Sequence, residues 1–294
     1  MIYVNIRGRL GNQLFIYAFA RALQKSTNQQ ITLNYTSFRK HYNNTAMDLE
    51  QFNIPEDIMF ENSKELPWFA NTDGKVIRIL RHYFPKLIRS ILQKMNVLMW
   101  LGDEYVEVKV NKRRDIYIDG FWQSSRYFKS VYKELKNELI PKMEMSKEIK
   151  TMGDLINQKE SVCVSVRRGD YVTVKKNRDV YYICDEKYLN TSIMRMVELV
   201  PNVTWFIFSD DADWVKDNIV FPGEVFYQPP RVTPLETLYL MKACKHFIIS
   251  NSSFSWWGQY LSNNDNKIVI GPAKWYVDGR KTDIIEEEWI KIEV

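Results

Sequence analysis

The chain has 294 residues, 45% of them hydrophobic and 26% charged, with a formal net charge of +5. This size admits one large domain or two modest ones, and the charge is too small to point to nucleic acid, although it suits a polyanionic small ligand or an anionic membrane surface. No apolar run reaches the ~20 residues of a membrane-spanning helix, no signal-peptide pattern opens the chain, and Cys163, Cys184 and Cys244 lack metal-ligand spacing, so the expectation is a cytoplasmic protein with reduced, buried thiols.

In chain order, residues 2–6 predict a buried strand, 8–13 a turn and 14–25 a helix. The stretch 75–100 contains Lys75, Arg78, Arg81, Lys86, Arg89 and Lys94 interleaved with aliphatic residues and no acid. Pro85 should divide it into two helical pieces. It reads either as a membrane-surface element, peripheral to the inner membrane, or as a helical insertion with a solvated basic side. A charged, helix-like stretch at 133–150 precedes a second series of strands at 162–166, 204–208, 246–250 and 267–270, each followed by a polar or glycine turn. Strands alternating with helices imply parallel βαβ units. The boundary falls near Gln158, giving 1–157, with a helical insertion over about 55–105, and 158–294. The expected architecture is two Rossmann-like α/β halves facing one another across a cleft, against the alternative of one continuous doubly wound sheet.

Four segments carry candidate chemistry. Val164-Ser165-Val166-Arg167-Arg168-Gly169-Asp170-Tyr171 takes two arginines out of a buried strand into a tight turn. Guanidinium forks match phosphate oxygens, and fixed cations can stabilise a leaving diphosphate, as a metal can. Within the turn one arginine can serve phosphate while the other pairs with Asp170. In Phe208-Ser209-Asp210-Asp211-Ala212-Asp213, Ser209 or Asp210 suits an N-cap, and a carboxylate there can also accept hydrogen bonds from a base or ribose. Asp211-Ala212-Asp213 also fits a D-x-D metal site, a reading set aside because these acids begin a helix. Ile249-Ser250-Asn251-Ser252-Ser253-Phe254-Ser255-Trp256-Trp257 runs from a strand into a hydroxyl-rich helix start, where Ser252, Ser253 and Ser255 can meet an anion. Its Asn251-Ser252-Ser253 match to a glycosylation acceptor is treated as accidental. Gly8-Arg9-Leu10-Gly11-Asn12-Gln13 makes a βα turn outside the dinucleotide fingerprint. Aromatics at 14% suit sugar faces as well as cores.

In this order the segments resemble the α-1,2-fucosyltransferases of glycosyltransferase family 11, with Gly120-Phe121-Trp122-Gln123-Ser124 a further shared segment. The resemblance runs from residue 6 to about 260 and is weak over 36–110. It implies a GT-B fold, a GDP-fucose donor in the C-terminal half, a galactose-terminated glycan acceptor, inversion at the anomeric carbon and no required metal. It maps Arg168 onto the diphosphate, with Arg167 in support. Asp210, Asp211, Ser253, Phe254 and Ser255 map onto nucleotide contacts, and Asn12 near the reacting centre. Ser165 stands where the family has a histidine that approaches guanine, which puts the base contacts in doubt. Asp170 and Glu236 are the candidate general bases. Another GDP-sugar transferase, or a non-catalytic carbohydrate-binding protein, are the competing functions. The paired arginines argue against the latter.

Overall fold

The N-terminal segment Ile2-Tyr3-Val4-Asn5 forms the centre of a sheet, with Ile2, Val4 and Asn5 buried and Tyr3 partly so. The structure is a computed structural model describing residues 1–41, 48–70, 74–100, 102–182 and 184–294. The chain divides into two units, Met1–Lys142 and Met143–Val294.

The first unit runs β1 (Ile2–Asn5), α1 (Leu10–Thr27), β2 (Ile31–Asn34), α2 (Thr36–His41), β3 (Met59–Glu61), α3 (Lys75–Tyr83), α4 (Pro85–Lys94), β4 (Val97–Trp100), β5 (Ile116–Gly120) and α5 (Tyr132–Glu138). Its strands are ordered β3-β2-β1-β5-β4, all parallel. Helix α1 is buried on most sides, from Leu14 through Ala20. It is tied to α5 where Glu138 accepts from the Tyr17 hydroxyl and pairs with Arg21.

The second unit runs α6 (Lys147–Gln158), β6 (Ser161–Val166), α7 (Gly169–Thr173), α8 (Lys175–Tyr181), α9 (Glu186–Leu199), β7 (Thr204–Ser209), α10 (Ala212–Asn218), β8 (Val225–Tyr227), α11 (Pro234–Ala243), β9 (His246–Ile249), α12 (Ser253–Tyr260), β10 (Val269–Pro272) and β11 (Ile290–Ile292). The sheet order is β11-β10-β9-β6-β7-β8, again all parallel. All six residues of β6 are buried, as a strand covered by helices on both faces requires. Val162, Val164, Leu189, Trp205, Ile207 and Ile248 belong to one apolar cluster. Each such aliphatic side chain contributes about 1.5–3 kcal/mol by leaving water.

Four boundaries differ from the sequence expectation. Helix α1 begins at Leu10, so Gly11, Asn12 and Gln13 are helical; the turn is confined to Gly8, whose φ is +73°, and to the extended cap Arg9. The stretch 133–150 is two helices, because Pro141 falls between α5 and α6. The units divide at 142/143 rather than 157/158, because α6 packs on the second unit: a Cβ on Gly153 would lie 3.3 Å from the Tyr239 ring of α11. Residues 55–105 do contain α3 and α4, parted at Pro85 as expected, but they also supply β3 and β4, one at each edge of the sheet.

Candidate active site

In the second unit the chain builds outward from β6 through β7 to β8, then returns to the other side of β6 as β9, β10 and β11. The direction reverses between β6 and β9, and polar residues at the carboxyl ends of two such strands diverge into a crevice. The Arg167-Arg168 turn leaves β6 here, and Ser250-Asn251-Ser252 leaves β9.

Ser250, fully buried, pins these two ends together. Its N–H and its hydroxyl both donate to the Ser165 carbonyl, at 3.0 and 2.7 Å, and its Oγ accepts the Arg167 N–H at 3.0 Å. Asp210, just past β7, holds the turn from the other side. Its Oδ1 accepts the N–H groups of Arg168 (2.8 Å) and Gly169 (3.2 Å), and its Oδ2 pairs with Arg167 Nη1 at 2.6 Å. Gly169 suits this approach, since a Cβ there would sit 2.6 Å from Asp210 Oδ2 and the carboxylate would have to shift.

The two arginines have different surroundings. Both terminal nitrogens of Arg167 meet carboxylates, Asp210 and Asp170. Arg168 is buried, at 7% exposure, with its guanidinium carbon 3.5 Å from the centre of the Trp214 ring. Its Nε pairs with Asp211 at 3.2 Å and its Nη1 donates to the Tyr182 hydroxyl at 3.2 Å. Its Nη2 carries no hydrogen bond among the described residues. Stacking and two bonds fix the plane of the fork and leave one corner available.

Asp211 is the cap of α10, accepting from the Trp214 N–H at 3.4 Å, so the cap is neither Ser209 nor Asp210. Asp213 is exposed and pairs with Lys216. The two outer acids of the D-x-D pattern thus face different cations. Glu236 closes a capping box with Thr233 at the start of α11.

Helix α12 opens beside the turn. Its cap, Ser252, is buried and makes no side-chain bond to the helix, so the first-turn N–H groups have no side-chain acceptor among the described residues. Ser253 and Phe254 are half-buried. Ser255 is buried, and its hydroxyl lies 2.6 Å from that of Ser165. Asn251 is buried with its amide donating to the carbonyls of Tyr181 and Trp275, which leaves no accessible nitrogen for a glycan. Burial pushes the Tyr171 phenol up and raises the Cys184 thiol to about 12. All three cysteines are buried and unbridged.

Asn12 belongs to the first unit, where β1 and β5 flank the corresponding reversal. Its Oδ1 accepts from Gln123 Nε2 at 2.8 Å, which turns its own N–H₂ away from Gln123. Gly8 gives it room: a Cβ there would lie 2.6 Å from Asn12 Nδ2. The second unit therefore gathers Ser165, Arg167, Arg168, Asp170, Asp210, Asp211, Ser252, Ser253, Phe254 and Ser255 around one reversal, and the first unit joins Asn12 to Gln123. Sequence reasoning gave no role to Trp214, Tyr182 or Ser250. Ser250 stands inside one of the four segments and Trp214 directly follows another, whereas Tyr182 has no local signal. A cavity of about 630 Å³ opens at the amino ends of β6 and β9, lined by Glu160, Lys245, His246 and Asn264. It lies at the wrong ends of the strands for this chemistry.

Residues 1–293 match the sequence model of Glycosyl transferase family 11. This chain belongs to glycosyltransferase family 11. Among the relatives of this family 11 glycosyltransferase, an alpha-1,2-colitosyltransferase of Escherichia coli is 31% identical, covering 100% of this chain and 99% of its own. Galactoside alpha-(1,2)-fucosyltransferase 1 of Homo sapiens is 24% identical over 60% of this chain and 50% of its own. The solved NodZ alpha-1,6-fucosyltransferase co-crystallized with GDP is 15% identical and covers 89% of this chain and 92% of its own, with a TM-score of 0.51. That likeness concerns the fold, and with it the family 11 chain falls in the GT-B class expected from its sequence.

Proposed function

We infer that this family 11 glycosyltransferase moves L-fucose from GDP-β-L-fucose to O2 of a terminal galactose, with inversion and without a metal ion. The observation that carries the reading is Arg168, stacked and oriented with Nη2 unengaged, beside the uncapped start of α12. Negative charge grows on the diphosphate as the glycosidic bond breaks. A fixed guanidinium and a helix N-terminus bind that charge more strongly in the transition state than before it. Arg167 and Asp210 have a supporting role in this reading: they hold the turn, while Arg168, Ser253 and the α12 N–H groups meet phosphate. Asp211, half-exposed and linked to Arg168, remains a candidate for ribose or base. Asn12, oriented by Gln123, is assigned to the reacting centre. Asp170 is the candidate base because it lies in the arginine turn, paired with Arg167, whereas Glu236 caps α11. Relatives named for galactoside α-1,2 transfer support the linkage.

A second donor has a specific observation in its favour, since the 31% identical relative is named a colitosyltransferase. Colitose is fucose without its 3-hydroxyl. A site that hydrogen-bonds a hydroxyl rejects an analogue lacking it by roughly 10⁴–10⁵, so the donor preference should be sharp in one direction. The test is GDP release with GDP-fucose and GDP-colitose against free galactose, lactose and a panel of galactosides, with and without EDTA, followed by NMR of the product anomer. Turnover of GDP-fucose in EDTA to an α-1,2 product supports the reading. Turnover of GDP-colitose alone moves the function to the second donor, and loss in EDTA restored by Mg²⁺ or Mn²⁺ overturns the metal-free mechanism.

A further inference from the structure

Helices α3 and α4 present three kinds of surface. Ile77 of α3 and Leu92 of α4 are buried with Ala70, Val97 and Met99, which fastens the helices to the first unit by one side. At about 100° per residue, Val76, Ile79 and Tyr83 form a stripe on a different side of α3. Along α4 and its two caps a second stripe runs through Phe84, Leu87, Ile91 and Met95. Each of these seven side chains is between 44% and 69% exposed. The stripes meet where Tyr83 is followed by Phe84, at the bend set by Pro85. Such a succession of exposed aromatic and aliphatic residues is not the scattered surface hydrophobicity of an ordinary monomer.

The charge beside this face has a single sign. From Lys75 to Gly102 there are six Lys and Arg residues and no Asp or Glu. Lys75, Arg78, Arg89 and Lys94 are all exposed. Lys75, Arg78 and His82 lie on the third side of α3, next to the apolar stripe. The arrangement is that of a helix lying in an interface, with aromatic and aliphatic side chains in the acyl boundary and basic groups at the level of the headgroups. A second copy of this chain is a poor occupant, because a two-fold contact would bring like charges together.

We propose that the α3–α4 face is a membrane-docking surface that seats the first unit on an anionic lipid bilayer. The proposal depends on neither the donor nor the acceptor assigned above. The chain is then held at the bilayer by its first unit, and turnover of soluble acceptors needs no docking.

The test is co-sedimentation of the full chain with vesicles of phosphatidylglycerol mixed with phosphatidylcholine, against vesicles of phosphatidylcholine alone. The protein should pellet with the first and stay in solution with the second. Raising salt from about 0.1 M to about 1 M shortens the Debye length from ~10 to ~3 Å and should weaken binding by about tenfold or more. Two triple variants at exposed positions separate the components: Ile79→Ser, Leu87→Ser, Ile91→Ser, and Lys75→Gln, Arg78→Gln, Lys94→Gln. Each should lose vesicle binding about tenfold, with unchanged circular dichroism and unchanged GDP release on a soluble acceptor. Equal binding to both vesicle types, or binding to neither, overturns the proposal. So does an apolar variant that binds like the parent, or a parent dimer that this variant makes monomeric.

Discussion

At the scale of single residues, the proposed function gives the two arginines different tasks, orientation for Arg167 and charge stabilisation for Arg168. Arg168→Ala should lower turnover about a hundred- to a thousand-fold with the fold intact, the cost of removing one electrostatic donor. Arg168→Lys keeps the charge but loses the planar fork and the stack on Trp214, so it should be nearly as poor. Arg167→Ala has another signature. It leaves Asp210 and Asp170 without their shared cation, so melting temperature and KM should both suffer. Steady-state kinetics with thermal melts on the three variants check this, and a folded, fully active Arg168→Ala removes the diphosphate from this turn. Gln123 supplies a separate test. Gln123→Glu keeps its shape but replaces the donor facing Asn12 Oδ1 with an acceptor, so the Asn12 amide must turn over. About a tenfold fall in kcat with little change in melting temperature is the expected outcome. Equal activity would mean that the orientation of Asn12 has no part in the reaction.

At the scale of elements, two helix starts that look alike in sequence behave differently. Helix α11 is closed by its capping box, so Glu236→Ala should cost about 1 kcal/mol of stability and leave turnover alone. A dead, stable Glu236→Ala would instead make it the base. Helix α12 carries two serines in its first turn, Ser253 and Ser255, with different surroundings. Ser253 is half-buried and makes no side-chain bond among the described residues, and Ser253→Ala should weaken GDP binding by about 1.5–3 kcal/mol by calorimetry. Ser255→Ala would strand the buried Ser165 hydroxyl, so it should lower stability first, and adding Ser165→Ala should restore much of the loss. The strands and the hydroxyl-rich helix start were legible because apolar runs and serine clusters are local signals. The start of α1 was not, since Leu10-Gly11-Asn12-Gln13 has weak helix propensity and is held by burial of Leu10 and Gln13. Nor were β3 and β4, which are too short for periodicity to register. The Trp214–Arg168–Tyr182 cluster assembles from three separate segments, so no spacing in the chain could announce it.

At the scale of the whole molecule, stability against pH follows from groups at the edges of both units. Burial works against the charge of Glu160, but hydrogen bonds from Lys245 and His246 outweigh it and hold the carboxyl below the usual range. Hydrogen bonds from Lys25 and Lys159 do the same for Glu134 and Glu224. A carboxyl depressed in the folded state contributes stability that is complete above its unfolded pKa of about 4.3 and is lost as pH falls through the folded value. The alkaline side has the opposite sign. Burial raises the phenols of Tyr17 and Tyr188 and the thiols of Cys163 and Cys184, so their contribution is complete at low pH and lost as pH rises past the unfolded values of about 8.5 for Cys and about 10 for Tyr. Melting temperature should therefore show a plateau from about pH 5 to about pH 8, with a shoulder on each side. Glu160→Gln isolates the acid limb. It removes the pair that links the amino ends of β6 and β9, far from the arginine turn, so activity should be unchanged. Its melting temperature should lie below that of the parent near pH 7, and the gap should close as the pH falls through the lowered folded-state value, below which the parent carboxyl is also protonated. A gap that stays constant across that range would mean that Glu160 acts through packing alone, and the acid limb would then have to come from other carboxylates.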